Sequence, residues 1–130
     1  MRLNQVTLPA SDLAVSVPFY QRLGLALIVD AQPRYARFQV PGNDASLSLH
    51  RVNEQSQCQP SAIVYFECDD LDAHVSDLQN AGIALDSGPR DETWLWREAR
   101  LKDPDQNVLC FHYAGDNRLF PPWRVDSQST

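Results

Sequence analysis

One pattern occurs twice along this chain at a constant offset of 58 residues. Asp12-Leu13 returns as Asp70-Leu71, Val17 as Val75, Gly24 as Gly82, and Ala26-Leu27 as Ala84-Leu85. Each copy follows a short apolar strand and ends at a glycine that can close a helix. An internal repeat constrains architecture before local propensity does, because each unit leaves an apolar face that only a neighbouring unit covers. The repeat therefore predicts two small strand–helix units in one chain, with a cavity between them.

The length of 130 residues fits one domain made of two half-domains. Net charge is −6 and the pI is about 4.8, with no run of Lys or Arg. That balance argues against nucleic acid or an anionic membrane as partner. The apolar runs are far shorter than a membrane span, and the opening MRLNQVTL has no signal-peptide core. Three cysteines, Cys58, Cys68 and Cys110, lack CxxC spacing and read as free thiols in a reducing, cytoplasmic setting.

Gln5-Val6-Thr7-Leu8 alternates as a strand. A helix to Leu23 follows. Because Pro18 lacks a backbone N–H, the regular helix is expected to start near Val17 with Ser16 as cap, after a looser turn at Asp12. Strands are expected over 25–30, 34–40 and 47–52, and a polar linker over 53–60. The second half repeats the order. It has a strand over 63–68, a helix capped by Asp69 or Asp70 with Leu71, Val75 and Leu78 on its apolar face, and strands over 83–86, 94–102 and 108–113. Asp103-Pro104-Asp105-Gln106-Asn107 is a turn cluster. The tail carries Phe120-Pro121-Pro122-Trp123, too apolar for a free end. It is expected to bury Phe120 and Trp123, while 126–130 is expected to be disordered.

A twice-repeated βαβββ unit, with Asp-Leu opening each helix, Phe19-Tyr20 and Leu23-Gly24-Leu25 closing the first, and Asp103-Pro104-Asp105-x-Asn107 before the last strand, resembles the vicinal oxygen chelate superfamily. That superfamily includes glyoxalase I, extradiol dioxygenases, and fosfomycin- and bleomycin-resistance proteins. The resemblance covers residues 3–114. It implies an α+β fold in which two modules, 1–57 and 58–115, form a curled mixed-sheet cup with helices outside. A tail, 116–130, follows, and the resemblance also implies a homodimer. Gln106 stands where the family usually has glycine, which suggests a turn without a positive φ there.

In the superfamily's metalloenzymes, His, Gln or Glu ligands come from the first and last strands of each module. Carried over by motif, those positions are Gln5, Ser48, Ile63 and Cys110. Ile63 cannot bind a metal and Ser48 is a poor ligand, whereas a divalent ion needs three or four good donors. No cofactor is expected. A relocated site would have to use Gln5, His50, Cys110 and His112.

Strand alternation sorts the remaining side chains. Gln5, Thr7, Ser48 and His50 share the cup face in the first module, with Tyr35, Arg37 and Gln39. In the second module Ile63, Tyr65, Glu67, Cys110 and His112 share it, with Trp94, Trp96, Glu98 and Arg100. Large aromatics among polar groups point to ligand stacking, against the plainer reading of a solvated sheet face or a dimer contact. His50 and His112 occupy matching places and read as acid/base groups, as relocated metal ligands, or as hydrogen-bonded residues lining a sheet. Glu98 is a general-base candidate or an ion-pair partner of Arg37 or Arg100. Cys110 is a nucleophile candidate or an inert cup residue. His74 is expected to be solvated. Arg118, Phe120 and Trp123 are expected at a lid or, preferentially, a subunit seam.

Three functions follow. The first is metal-free binding of a small organic molecule in the cup, as bleomycin-resistance-type members do. The second is a metal-dependent lyase or dioxygenase of the glyoxalase type with rearranged ligands. The third is a metal-free isomerase-type enzyme using Glu67, Glu98 or a histidine.

Overall fold

Two aspartates start the two helices. The computed structural model describes residues 2–54 and 62–125. In it, Asp12 accepts a hydrogen bond from Ala14 N (3.0 Å) and Asp70 accepts one from Ala73 N (3.1 Å). These caps satisfy amides that a helix start leaves unpaired. They open α1 (Leu13–Arg22) and α2 (Leu71–Asn80). Helix α1 thus begins four residues before the expected Val17. Pro18 is accommodated inside it, on an exposed face that also carries Ala14, the residue whose carbonyl Pro18 leaves unbonded. Ser16 is buried in the helix and caps nothing.

Strands β1 (Gln5–Ala10), β2 (Ala26–Ala31), β3 (Tyr35–Gln39) and β4 (Ser46–Arg51) form one four-stranded sheet in the order β1-β4-β3-β2. Strands β5 (Ile63–Glu67), β6 (Ser87–Asp91), β7 (Arg97–Lys102) and β8 (Val108–Tyr113) form the second sheet in the matching order β5-β8-β7-β6. In each sheet the first and last strands run parallel and the other pairs antiparallel. The fold is α+β and built of two βαβββ modules, and the sheets are not closed into a barrel.

Two strand expectations shift. Residues 83–86 do not form a strand, because Ile83 N still bonds the helix carbonyl of Leu78 (3.0 Å). Strand β6 starts at Ser87, where a bulge and Gly88 at φ +80 bring the chain against β7. A Cβ there would lie 2.2 Å from the Glu98 carbonyl oxygen, so the approach requires glycine. Strand β7 starts at Arg97 and not at Trp94. Leu95 takes φ +68, and the bonds Leu95 N→Glu92 O and Glu92 N→Trp96 O close a turn that contains both tryptophans.

The apolar sides of both sheets and helices make one continuous core, from Leu8, Leu13, Val17, Tyr20, Phe38 and Leu49 to Leu71, Val75, Leu78, Leu101, Leu109 and Phe111. The 103–107 turn joins the modules. Asp103 Oδ1 accepts from Asp105 N (2.8 Å) and Asn107 N (2.9 Å), and its Oδ2 from Tyr20 OH (2.6 Å) and Asn107 Nδ2 (2.8 Å). This clamp holds Gln106 at φ +70, so the turn keeps its positive φ without the glycine. Most of the expected 53–60 linker, Cys58 and the 126–130 end lie outside the described residues.

Candidate ligand-binding site

Cross-strand pairing builds a polar layer on the second module's concave face. Glu98 pairs with His112, Arg100 with Cys110 and Tyr65 with Cys110. Glu98, Cys110 and His112 are all at most 3% exposed. The Glu98 carboxylate is shared between two donors. Trp94 Nε1 donates to Oε2 (2.6 Å), and Arg100 Nε and a terminal nitrogen donate to Oε1 (3.2 and 3.1 Å). Glu98 is ion-paired with Arg100 and not with Arg37.

Above that layer lie the rings. Trp96 stacks on His112 with centroids 4.7 Å apart and planes at 21°, and Tyr65 meets both edge-on at 5.9 and 5.6 Å. The Trp96 indole N–H is held by Asn117 O (3.2 Å), from a 3-10 turn over Gly115–Asn117. Tyr65 and Trp94 are exposed, while Trp96 and Arg100 are half-buried. Turn geometry, and not strand alternation, puts the two indoles beside Glu98 and His112.

The first module brings together a smaller set. Thr7 and Ser48 share a 2.6 Å hydrogen bond, with Ser48 wholly buried. Arg37 Nε donates to Tyr35 OH (2.9 Å). Hydrogen bonding from Ser48, and then from Arg37, draws the Tyr35 phenol below its ordinary pKa. Gln5 Oε1 accepts from Ser46 Oγ (2.7 Å), and His50 is exposed at the end of β4. Gln5, Ile63 and Tyr65 line a cavity of about 450 Å³ where the starts of β1, β4 and β5 come together. The other expected cup residues lie outside that cavity.

Electrostatics narrow the chemistry. Burial pushes the Cys110 thiol up to about 12 and the Cys68 thiol up to about 11, so neither is a thiolate nucleophile at neutral pH. Burial also lowers the His112 pKa, which keeps the ring neutral, and its Nδ1 is buried without a hydrogen-bond partner. His74 is half-buried against Phe111, centroids 5.1 Å apart, and not solvated as expected. The reason is its place in α2, three residues after Leu71 and four before Leu78, both of which are buried. Within the chain Phe120 and Trp123 are 64% and 58% exposed, so the chain's own body does not bury them. Arg124 covers one face of Phe120 at 4.4 Å. The contact between the tail and Trp96 was not foreseen, since nothing local marks Asn117 as an acceptor.

The metal fits poorly. Of the four carried-over positions, Ile63 has no donor, Ser48 is bonded to Thr7, Gln5 Oε1 is taken by Ser46, and Cys110 is a protonated thiol. In the relocated set, His50 and His112 belong to different sheets. Among the described residues no three His, Cys, Asp or Glu side chains stand together at ligating distance.

Paired βαβββ modules of matching strand order define the fold, and a shared fold leaves the chemistry to the residues that line it. The Glyoxalase/Bleomycin resistance protein/Dioxygenase superfamily model matches residues 2–111, and the chain belongs to that superfamily. Among solved structures it is similar to a glyoxalase/bleomycin resistance protein from Streptomyces sp. CB03234 at 30% identity (TM-score 0.66, covering 84% of this chain and 98% of that one). It is also similar to TnmS3, an antibiotic binding protein from the same organism, at 28% identity (TM-score 0.73, covering 88% and 96%). A bleomycin-binding protein complexed with bleomycin shares the fold at 21% identity (TM-score 0.69, covering 87% and 98%). No curated protein matches by sequence. No helix among the described residues is long and apolar enough to cross a membrane.

Proposed function

We propose that this chain is a binding protein of the superfamily, sequestering a small, flat organic molecule on the aromatic concave face without the usual metal. The observation that carries this reading is the order of layers on the second module. Tyr65, Trp94 and Trp96 lie outermost, over Glu98, Cys110 and His112. A ligand arriving there meets ring faces, the Arg100 guanidinium and the exposed Glu67 carboxylate before the buried Glu98 or His112. Stacking supplies affinity at little entropic cost, and the guanidinium suits a carbonyl or anionic group. Glu98 serves to orient Trp94 and Arg100, since both its oxygens accept from them. The similarity to an antibiotic binding protein supports the same reading.

The test is tryptophan fluorescence. Titration with a panel of metabolites and aromatic antibiotics quenches emission in the wild type, and Trp96→Ala and Arg100→Gln lose affinity by about tenfold. Hits that bind both variants as tightly as wild type refute the site.

A metal-free proton-transfer activity is the second reading. It is favoured by the unpartnered His112 Nδ1 and the acidified Tyr35 phenol. Turnover of a bound hit, abolished in His112→Gln or Tyr35→Phe, would replace sequestration by catalysis. The protein is further proposed to act in the cytoplasm as a homodimer. Leu119, Phe120, Trp123 and Val125, each more than half exposed, supply the apolar surface that a second copy covers. Light scattering at monomer mass would remove this part.

A further inference from the structure

The seam between the modules follows the internal repeat, yet its two halves are not alike. On one side a polar plug fills it. Asp105 Oδ1 accepts from Ser11 N (3.1 Å) and Ser11 Oγ (2.6 Å), and Asp105 Oδ2 from Ser16 Oγ (3.3 Å). Tyr20 and Pro9 O add bonds to Asp103 and Asn107.

Moving along the repeat by its 58-residue offset puts Asp69 in the place of Ser11, His74 in that of Ser16 and Leu78 in that of Tyr20. The turn that faces them is 40–45. There Val40 N bonds Ala45 O (2.9 Å), just as Asp103 N bonds Asn107 O (3.0 Å). Val40 and Ala45 therefore occupy the positions of the buried Asp103 and Asn107, and the polar plug has no counterpart. What remains is a crevice of about 430 Å³ between the modules, distinct from the concave face. Its apolar walls include Leu25, Val40 and Pro41 on one side and Phe66 and Phe111 on the other.

Two features of the crevice point to an occupant. The first is an unsatisfied nitrogen. His74 lines the crevice, and its Nε2 is buried with no hydrogen-bond partner, whereas the matching Ser16 hydroxyl bonds Asp105. Buried polar atoms are almost always paired, so this one marks a missing partner. The second is sign. Glu67, Asp69, Asp70 and Asp77 line the crevice, and no Lys or Arg does. Asp70 is committed to capping α2 through Ala73 N, and Glu67 alternates away from Phe66 to pair with His112, which leaves Asp69 and Asp77 to set the field. Burial keeps His74 below its ordinary pKa, hence neutral and able to accept a hydrogen bond.

We propose that this crevice is a second ligand site, taking a small organic ammonium ion with an aromatic or apolar body. The ammonium sits between the Asp69 and Asp77 carboxylates and donates to His74 Nε2 once a turn of that ring opens it to the crevice, and the body lies against Leu25, Val40 and Phe66. Phe66 stacks on Phe111 at 5.0 Å, and Phe111 is 2% exposed beneath Phe66 and His74, so the partly buried Phe66 is the ring that meets the cation. Anionic ligands are repelled by the same carboxylates. The site is independent of the concave face, so either can fail alone.

Benzylammonium is the probe, with benzyl alcohol and benzoate as shape-matched controls, titrated into ¹⁵N-labelled full-length protein. Saturable shifts at the amides of Cys68, Ala73 and His74 are expected for benzylammonium, and the controls bind about tenfold or more weakly. Asp69→Asn/Asp77→Asn, which changes two exposed side chains, weakens the ammonium response by a similar factor, while Trp96→Ala leaves it intact. The absence of these shifts, equal binding of benzyl alcohol, full binding by the double variant, or shifts confined to residues 94–98 would each overturn the proposal.

Discussion

The buried phenol of Tyr20 donates a 2.6 Å hydrogen bond to Asp103, tying α1 of the first module to the β7–β8 turn of the second. Desolvation, followed by the Asp103 charge, raises the Tyr20 pKa far above the usual phenol value, so the hydroxyl stays a donor. Tyr20→Phe leaves Asp103 three other donors and is expected to cost about 1–2 kcal/mol in urea denaturation. Asp103→Ala strands the Tyr20 hydroxyl and two backbone amides together and is expected to cost about 3 kcal/mol or more. Equal losses for the two variants would show that Asp103 acts only through Tyr20.

Gln106 at φ +70 is the one member of the clamped turn in a conformation that favours glycine. A side chain there costs roughly 1–2 kcal/mol, against which glycine loses up to about 1 kcal/mol of chain entropy. Gln106→Gly is therefore expected to stabilise the protein by about 0.5–1 kcal/mol, read as a higher urea midpoint at unchanged slope.

Stability should depend on pH through the buried His112 and the half-buried His74. Both are held below the ordinary value of 6.5, first by burial. Below that value the unfolded chain binds more protons than the folded one. Their contribution is therefore complete above pH 6.5 and is lost as pH falls through the folded values. Urea midpoints are expected to fall from about pH 7 to about pH 5. His112→Gln should flatten part of that slope, and an unchanged slope would remove His112 from the account.

Truncation after Gly115 removes the Asn117 carbonyl that accepts from Trp96. A loss of about 1 kcal/mol, or a few degrees in Tm, is expected, together with red-shifted emission as the indole N–H turns to solvent. Unchanged emission would mean that Trp96 keeps its place on His112 without the tail.

Much of the architecture was legible in the sequence, because local chemistry specified it. Asp12 and Asp70 cap, Gly24 and Gly82 stop, and period-two alternation decides which face of β1, β4, β5 and β8 is apolar. The repeat then required two equivalent modules. The concave sets Thr7–Ser48 and Glu98–Cys110–His112 followed from the same parity. Other features were decided only by tertiary structure, because they depend on partners distant in sequence. Pro18 stays inside α1 because Asp12, Ser16 and Tyr20 are held from both ends by the cap and by the 103–107 turn. Gln106 adopts a glycine-like φ because Asp103 clamps the amides on either side of it. Trp94 and Trp96 reach the concave face from a turn, through Glu98, His112 and Asn117. His74 and Ser16 are equivalent in the repeat, but only Ser16 faces an aspartate across the seam. Strand and helix periodicity act over a few residues, whereas these outcomes depend on which turn the fold sets against which helix.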